Sequence, residues 1–166
     1  LIPTIPYKKT TDDDEDEEKF TGATVLEAKP GAHFEPIAGL DFASLYPSIM
    51  IAINTCYSTI VEDVKFDNID GIEYKDIEWE EEDGTKHKFR YVQNKQGLLP
   101  KMLTKLWTER KAIKKQMKTC TDKNEYDVLN GVQLAIKVTM NSIYGFTGAK
   151  YGRLPKKAIA ATVTAE

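Results

Sequence analysis

The chain has 166 residues, 41% apolar and 30% charged, with 10 Gly and 7 Pro, a balance that excludes disorder throughout and leaves room for one core. Its longest apolar run, Ile49 to Ile53, is far short of the roughly 20 residues that cross a bilayer, and no charged-then-apolar leader opens it, so neither a membrane role nor secretion is expected. The net charge of −3 hides a segregation: acidic residues gather at Asp12 to Glu18 and Glu78 to Asp83, whereas Lys101 to Lys118 holds seven Lys or Arg against one Glu.

Residues 1–19 run through Pro3 and Pro6 into the acidic block and read as a solvated, irregular segment rather than a metal site. A β-like pattern follows, with a short run at Thr24 to Ala28, a turn at Pro30-Gly31 and a second run from Ile37 to Phe42. The second run is apolar on both faces until Asp41, which predicts a central strand delivering a carboxylate at its end. Tyr46-Pro47 predicts an extended residue before a helix-opening proline, with the helix spanning Ser48 to Asn54. Cys56 and Cys120 lack metal-ligand spacing and read as reduced thiols of an intracellular protein.

Residues 72–92 predict a β-hairpin around Asp83-Gly84. A two-residue loop would mix apolar and charged side chains on both faces. A three-residue loop, Glu82-Asp83-Gly84 with Gly84 left-handed, sets Ile77 against Phe89 and gathers Glu80 with Lys86, Glu78 with Lys88 and Asp76 with Arg90 on the other face. That register is the expected one.

Gln96 to Pro100 breaks the chain and opens an amphipathic helix to about Lys118, with Leu99, Leu103, Leu106, Ile113 and Met117 as its stripe and Arg110 interrupting it. A turn at Thr119 to Asn124 leads to a second helix, about Glu125 to Tyr144, striped by Leu129, Val132, Ile136, Met140 and Ile143. So short a turn predicts antiparallel helices. Residue 1 is Leu, and the helix-compatible run Ala158 to Glu166 stops without a capping signal, so the chain reads as a piece of a longer one.

Two motifs carry chemistry. In Asp41-Phe42-Ala43-Ser44-Leu45-Tyr46-Pro47-Ser48-Ile49, a carboxylate leaving a strand precedes a turn with free amides, a pairing suited to a divalent cation and polyphosphate oxygens. In Lys137-Val138-Thr139-Met140-Asn141-Ser142-Ile143-Tyr144-Gly145, helical spacing puts Lys137, Asn141 and Tyr144 on one face. Arg110 and Lys114 sit at i and i+4 on the facing helix, with an axial offset between Arg110 and Lys137 of about 7 Å. Three converging cations would repel one another unless an anion filled the space between them. The ordinary alternatives are a turn aspartate for Asp41, a snorkelling lysine for Lys137 and a solvent-facing seam residue for Arg110.

Asp41 to Ile49 resembles the first polymerase motif of family B DNA polymerases, and Lys137 to Ala149 resembles their fingers motif. Gly22 to Glu27 and Gly97 to Pro100 resemble the delta-like branch, which includes polymerases of large DNA viruses of algae. The resemblance covers about residues 20–61 and 96–164. It implies an α+β fragment: an acidic segment (1–19), a partial palm (20–71), a β-hairpin insertion (72–95), a fingers helical hairpin (96–149) and a return toward the palm (150–166).

The resemblance also implies roles. Asp41 would bind two Mg²⁺ ions and the Phe42 carbonyl one of them; Ser44 and Leu45 would give backbone amides to the triphosphate, with Arg110, Lys114, Lys137 and Asn141 holding it. Tyr46 would pack under the deoxyribose and exclude a 2′-OH, Tyr144 would lie beside the nascent base pair, and Gly145 would allow close approach. The implied partners are a DNA primer-template, a dNTP and a sliding clamp engaged by the parent chain. The parent would be intracellular, in a host nucleus or cytoplasm if viral and in the nucleus if cellular. Lys150 to Lys157 could touch template or primer phosphates, or be a basic surface loop.

The second catalytic carboxylate, carried in this family by a Tyr-Gly-Asp-Thr-Asp-Ser hairpin, does not occur before Glu166, so the fragment alone is expected to be inactive. Two other readings compete: a non-catalytic nucleic-acid-binding helical hairpin using Lys101 to Lys118, and a structural hairpin in a larger assembly. Neither explains Asp41 or Tyr46 beside Pro47.

Overall fold

The computed structural model describes residues 26–80, 84–149 and 153–166. The acidic block at Asp12 to Glu18, and Thr24 and Val25 of the first expected strand, lie outside them. The described residues contain four α-helices, a short 3-10 helix (Val64–Phe66) and a three-stranded antiparallel sheet, an α+β architecture.

Ser44, in the left-handed region at φ 56, turns the chain into α1 (Leu45–Ala52). The helix thus begins three residues earlier than the proline suggested, and Tyr46 is helical rather than extended. Pro47, third in the helix, loses nothing by lacking an N–H, because first-turn amides have no acceptor within the helix. The first backbone bond to close is Ser48 N–H to the Ser44 carbonyl, 2.9 Å. Beyond α1, Asn54 at φ 53 redirects the chain, so the helix stops short of the expected Asn54 end.

Strands β1 (Ile60–Val61), β2 (Tyr74–Glu80) and β3 (Lys86–Val92) lie in the order β1-β3-β2. The β2–β3 register pairs Asp76 with Arg90, Ile77 with Phe89, Glu78 with Lys88 and Glu80 with Lys86, as expected; Glu82 and Asp83 of the expected loop lie outside the described residues. Gly84 adopts φ 84, the left-handed conformation that loop requires. One face is ionic: the Arg90 guanidinium donates to both Asp76 oxygens at 2.5 and 2.8 Å and to Asp67 at 3.1 Å, and Lys88 reaches Asp76 and Glu78. On the other, Trp79 stacks on His87 at 5.1 Å, and Ile77 and Tyr91 form a small core with Ile53 at the end of α1. Period-two alternation thus separates a wet face from a dry one.

The chain enters α2 (Leu98–Met117) at Gly97, turns, and returns as α3 (Lys123–Gly148), whose Asp122 cap accepts the Asn124 N–H at 2.8 Å. Helix α3 is longer than expected at both ends, so Gly145 lies inside it. Leu103 and Leu106 share a core with Met140 and Ile136, while Arg110, further along α2, meets Gln133, earlier on α3; the helices are antiparallel. The expected stripe on α3 needs one correction: Val132 is 45% exposed and Gln133 only 8%, because Arg110 in the α2 seam selects a polar neighbour. Helix α4 (Lys157–Ala165) buries Ile159 to Val163, and the buried Tyr91 hydroxyl bonds Thr162 Oγ1 at 2.9 Å, joining α4 to the sheet. The main core of Met50, Leu103, Met140, Ile159 and Val163 draws on all four helices.

Among the described residues, the expected strands before α1 do not form. Leu26 to Ala28 and Ile37 to Phe42 carry no sheet hydrogen bonds, and Leu40 is 97% exposed. A two-sided apolar strand needs neighbours on its edges and faces, and none lies beside this segment among the described residues. Only the bend at Gly31, at φ 139, matches the expected turn.

Candidate nucleotide site

Asp41 lies four residues before α1 in a segment without regular secondary structure, exposed and without a polar partner among the described residues; Phe42 follows it, also exposed. Ser44 forms the left-handed entry to α1 and Leu45 is its first residue. From α1, Tyr46 reaches the fingers-like hairpin: its ring stacks on Tyr144 of α3 with centroids 4.2 Å apart and planes 22° from parallel. Burial, and secondarily the neighbouring Tyr46 phenol, raises the pKa of Tyr144, so the Tyr144 ring stays neutral through physiological pH.

From Tyr144 the same α3 face continues through Asn141 and Lys137 to Gln133, at intervals of three or four residues. Gln133 Oε1 accepts from Arg110 Nε at 3.2 Å, which links this face to α2. Arg110 therefore sits level with Gln133, four residues or about 6 Å of helix rise from Lys137. Lys114, one turn beyond Arg110, is exposed, as are Lys137 and Asn141. Among the described residues none of Arg110, Lys114 and Lys137 joins an ion pair, in contrast to Lys105, which pairs with Glu109. A Cβ added to Gly145 would meet open space, so this stretch of α3 presents bare backbone to its surroundings.

Not every expected grouping is seen. A cleft of about 500 Å³ beside α1 is lined by Phe42, Tyr46, Ile49, Val163 and Glu166 among others, but not by Arg110, Lys114 or Lys137. Asp41 makes no contact with those cations. Of the basic stretch ending at Lys157, residues 150–152 lie outside the described residues, and Lys156 is tied to Glu62 at 2.5 Å. Gln133 was missed in the sequence, although a signal existed: it and Arg110 break the apolar stripes at equal distances from the Thr121–Asp122 turn.

Two stacked tyrosines thus join the two sequence motifs, and cations without ion-pair partners among the described residues line the adjoining helix face. Residues 3–166 match the family model for DNA polymerase family B, and the chain belongs to that family. It is similar to DNA polymerase delta catalytic subunits: 46% identical over 152 residues to that of Candida albicans and 43% over 166 residues to that of Dictyostelium discoideum, covering 89% and 99% of this chain. It is also 40% identical over 167 residues to the DNA polymerase catalytic subunit of Elephantid herpesvirus 1, covering all of this chain and 15% of that one. The chain spans about 14% of the length of the two delta subunits. Among solved structures, the family B DNA polymerase of Pyrobaculum calidifontis superposes with a TM-score of 0.65 at 30% identity, covering 98% of this chain and 19% of that one. None of the described helices is long and apolar enough to cross a membrane.

Proposed function

We propose that the chain is the partial palm and fingers of a polymerase that transfers a deoxynucleotide from a dNTP to a DNA primer 3′-OH under the direction of a template. The reading rests on the Tyr46–Tyr144 stack, which joins the first polymerase motif to the fingers motif. Arg110, Lys114, Lys137 and Asn141 bind and orient the triphosphate, and the amides of Ser44 and Leu45 take phosphate oxygens at the entry to α1. Tyr46 packs under the deoxyribose, Tyr144 beside the nascent base pair, and the bare backbone at Gly145 admits that pair. In domain terms, residues 20–71 are palm, 72–95 a hairpin insertion, 96–149 fingers and 150–166 the return toward the palm.

The donors for metal fit half a site. Asp41 is an accessible carboxylate beside the Phe42 carbonyl, but the described residues contain no group of three or more His, Cys, Asp or Glu that could enclose an ion. Asp41 and Phe42 would hold Mg²⁺, which when bound neutralises phosphate charge and activates the attacking hydroxyl. The remaining carboxylate belongs to the parent chain, so residues 1–166 alone bind nucleotide without incorporating it. A sliding clamp, if used, engages the parent.

Titration of the chain with dNTP tests the reading: Mg²⁺-dependent affinity is expected, lost in Arg110→Ala or Lys137→Ala. Salt-sensitive DNA binding with no dNTP affinity would favour a non-catalytic nucleic-acid module instead. Template-directed incorporation by 1–166 that vanishes in Asp41→Ala would overturn the expected inactivity of the fragment.

A further inference from the structure

We infer that Gln133 is a positioning residue that aims the Arg110 guanidinium at the triphosphate, an inference resting on the proposed role of Arg110. A side-chain amide has a donor end and an acceptor end, and which one faces a neighbour depends on what holds the other. Here Gln133 Nε2 donates to Asn130 Oδ1 at 2.9 Å, one turn back on α3, so Oε1 is turned toward Arg110 and accepts its Nε–H at 3.2 Å. The relay lies inside an otherwise apolar helix seam, with Gln133 only 8% exposed. An amide there loses water and gains little net stability from its bonds, so packing alone would favour an aliphatic side chain.

The bond is made at Nε, the inner nitrogen of the guanidinium. That fixes the plane of the fork while both terminal nitrogens keep their donors, with no partner among the described residues. Phosphate oxygens are met bidentately by such a fork. Gln133 is neutral, so it orients the cation without cancelling its charge, as a carboxylate at the same place would. Lys137 follows one turn later on the same face.

The test is steady-state single-nucleotide incorporation by the complete polymerase. Gln133→Met keeps length and packing but removes the acceptor. It is expected to raise the KM for dNTP about fivefold, the loss of one oriented hydrogen bond, with kcat within about twofold. Gln133→Glu keeps the acceptor but competes with phosphate for Arg110, and should raise KM further at an unchanged Tm. In an Arg110→Ala background, Gln133→Met should add nothing. An unchanged KM in Gln133→Met beside a raised KM in Arg110→Ala would overturn the positioning role while leaving the Arg110 assignment standing. Equal, additive effects in both backgrounds would reduce Gln133 to a packing residue, and an unchanged KM in Arg110→Ala would remove the premise itself.

Discussion

Tyr46 on α1 and Tyr144 on α3 stack at 4.2 Å, so two segments 98 positions apart in the chain meet through a single ring pair. The pair holds the root of the helical hairpin to the helix that follows Asp41. A nucleotide sugar lying on Tyr46 and a base pair beside Tyr144 would share this wall.

Shortening Tyr46 should therefore open space for a 2′-hydroxyl. In the complete polymerase, Tyr46→Val is expected to lower the preference for dNTP over rNTP by at least about tenfold, read as the ratio of the two kcat/KM values. An unchanged ratio would take Tyr46 out of the sugar pocket.

The root of α2 depends on Gly97. A Cβ there would lie 2.6 Å from Cys56 Cβ and 3.1 Å from Thr59 Cγ2, so Gly97→Ala must displace backbone-anchored atoms. A loss of about 1–3 kcal/mol is expected in urea unfolding. Adding Cys56→Ala should not restore it, because alanine keeps the offending Cβ.

Asn54 staples three segments: its Nδ2 donates to the Val92 and Lys95 carbonyls at 2.6 and 2.8 Å, and its Oδ1 accepts the Gly97 N–H at 2.8 Å. Asn54→Ala leaves the buried Gly97 N–H and the half-buried Val92 carbonyl without this partner and also forces alanine to φ 53, with an expected cost of about 2–4 kcal/mol. Asn54→Gly loses the same bonds but tolerates the backbone, and should be less destabilised by about 1 kcal/mol. Equal losses would show that the left-handed backbone contributes nothing.

On the ionic face of the sheet, hydrogen bonds from Arg90, against a smaller penalty from burial, hold the Asp76 carboxyl well below the usual carboxylate range. A folded-state pKa depressed in this way contributes stability that is complete above the unfolded value of about 4 and is lost as pH falls toward the folded one. Thermal melts should therefore drop in Tm below about pH 4. In Asp76→Asn the Tm at pH 7 should be lower and its decline with acid shallower; parallel curves would exclude this carboxylate as a source of the acid sensitivity.

Much of this arrangement was legible in the sequence because it is local. Alternation of Asp76, Glu78 and Glu80 with Ile77 and Trp79 set the hairpin register, since a one-residue slip would have moved every charge into the dry face. The 3-4 spacing of Leu99, Leu103 and Leu106, answered by Ile136, Met140 and Ile143, specified two helices, and the short turn made them antiparallel. The family was readable too, from the order of the two motifs, and the match of residues 3–166 to the family B model agrees with it.

What the sequence could not settle depended on neighbours. Ile37 to Phe42 has the composition of a central strand, yet a strand exists only where another supplies hydrogen bonds, and the described residues supply none. Pro47 looked like a helix start, but the left-handed turn at Ser44 places the first helical residue at Leu45, ahead of it. Gln133 became meaningful only when the hairpin brought it against Arg110, because a buried amide is explained by its partner and not by its own position in the chain.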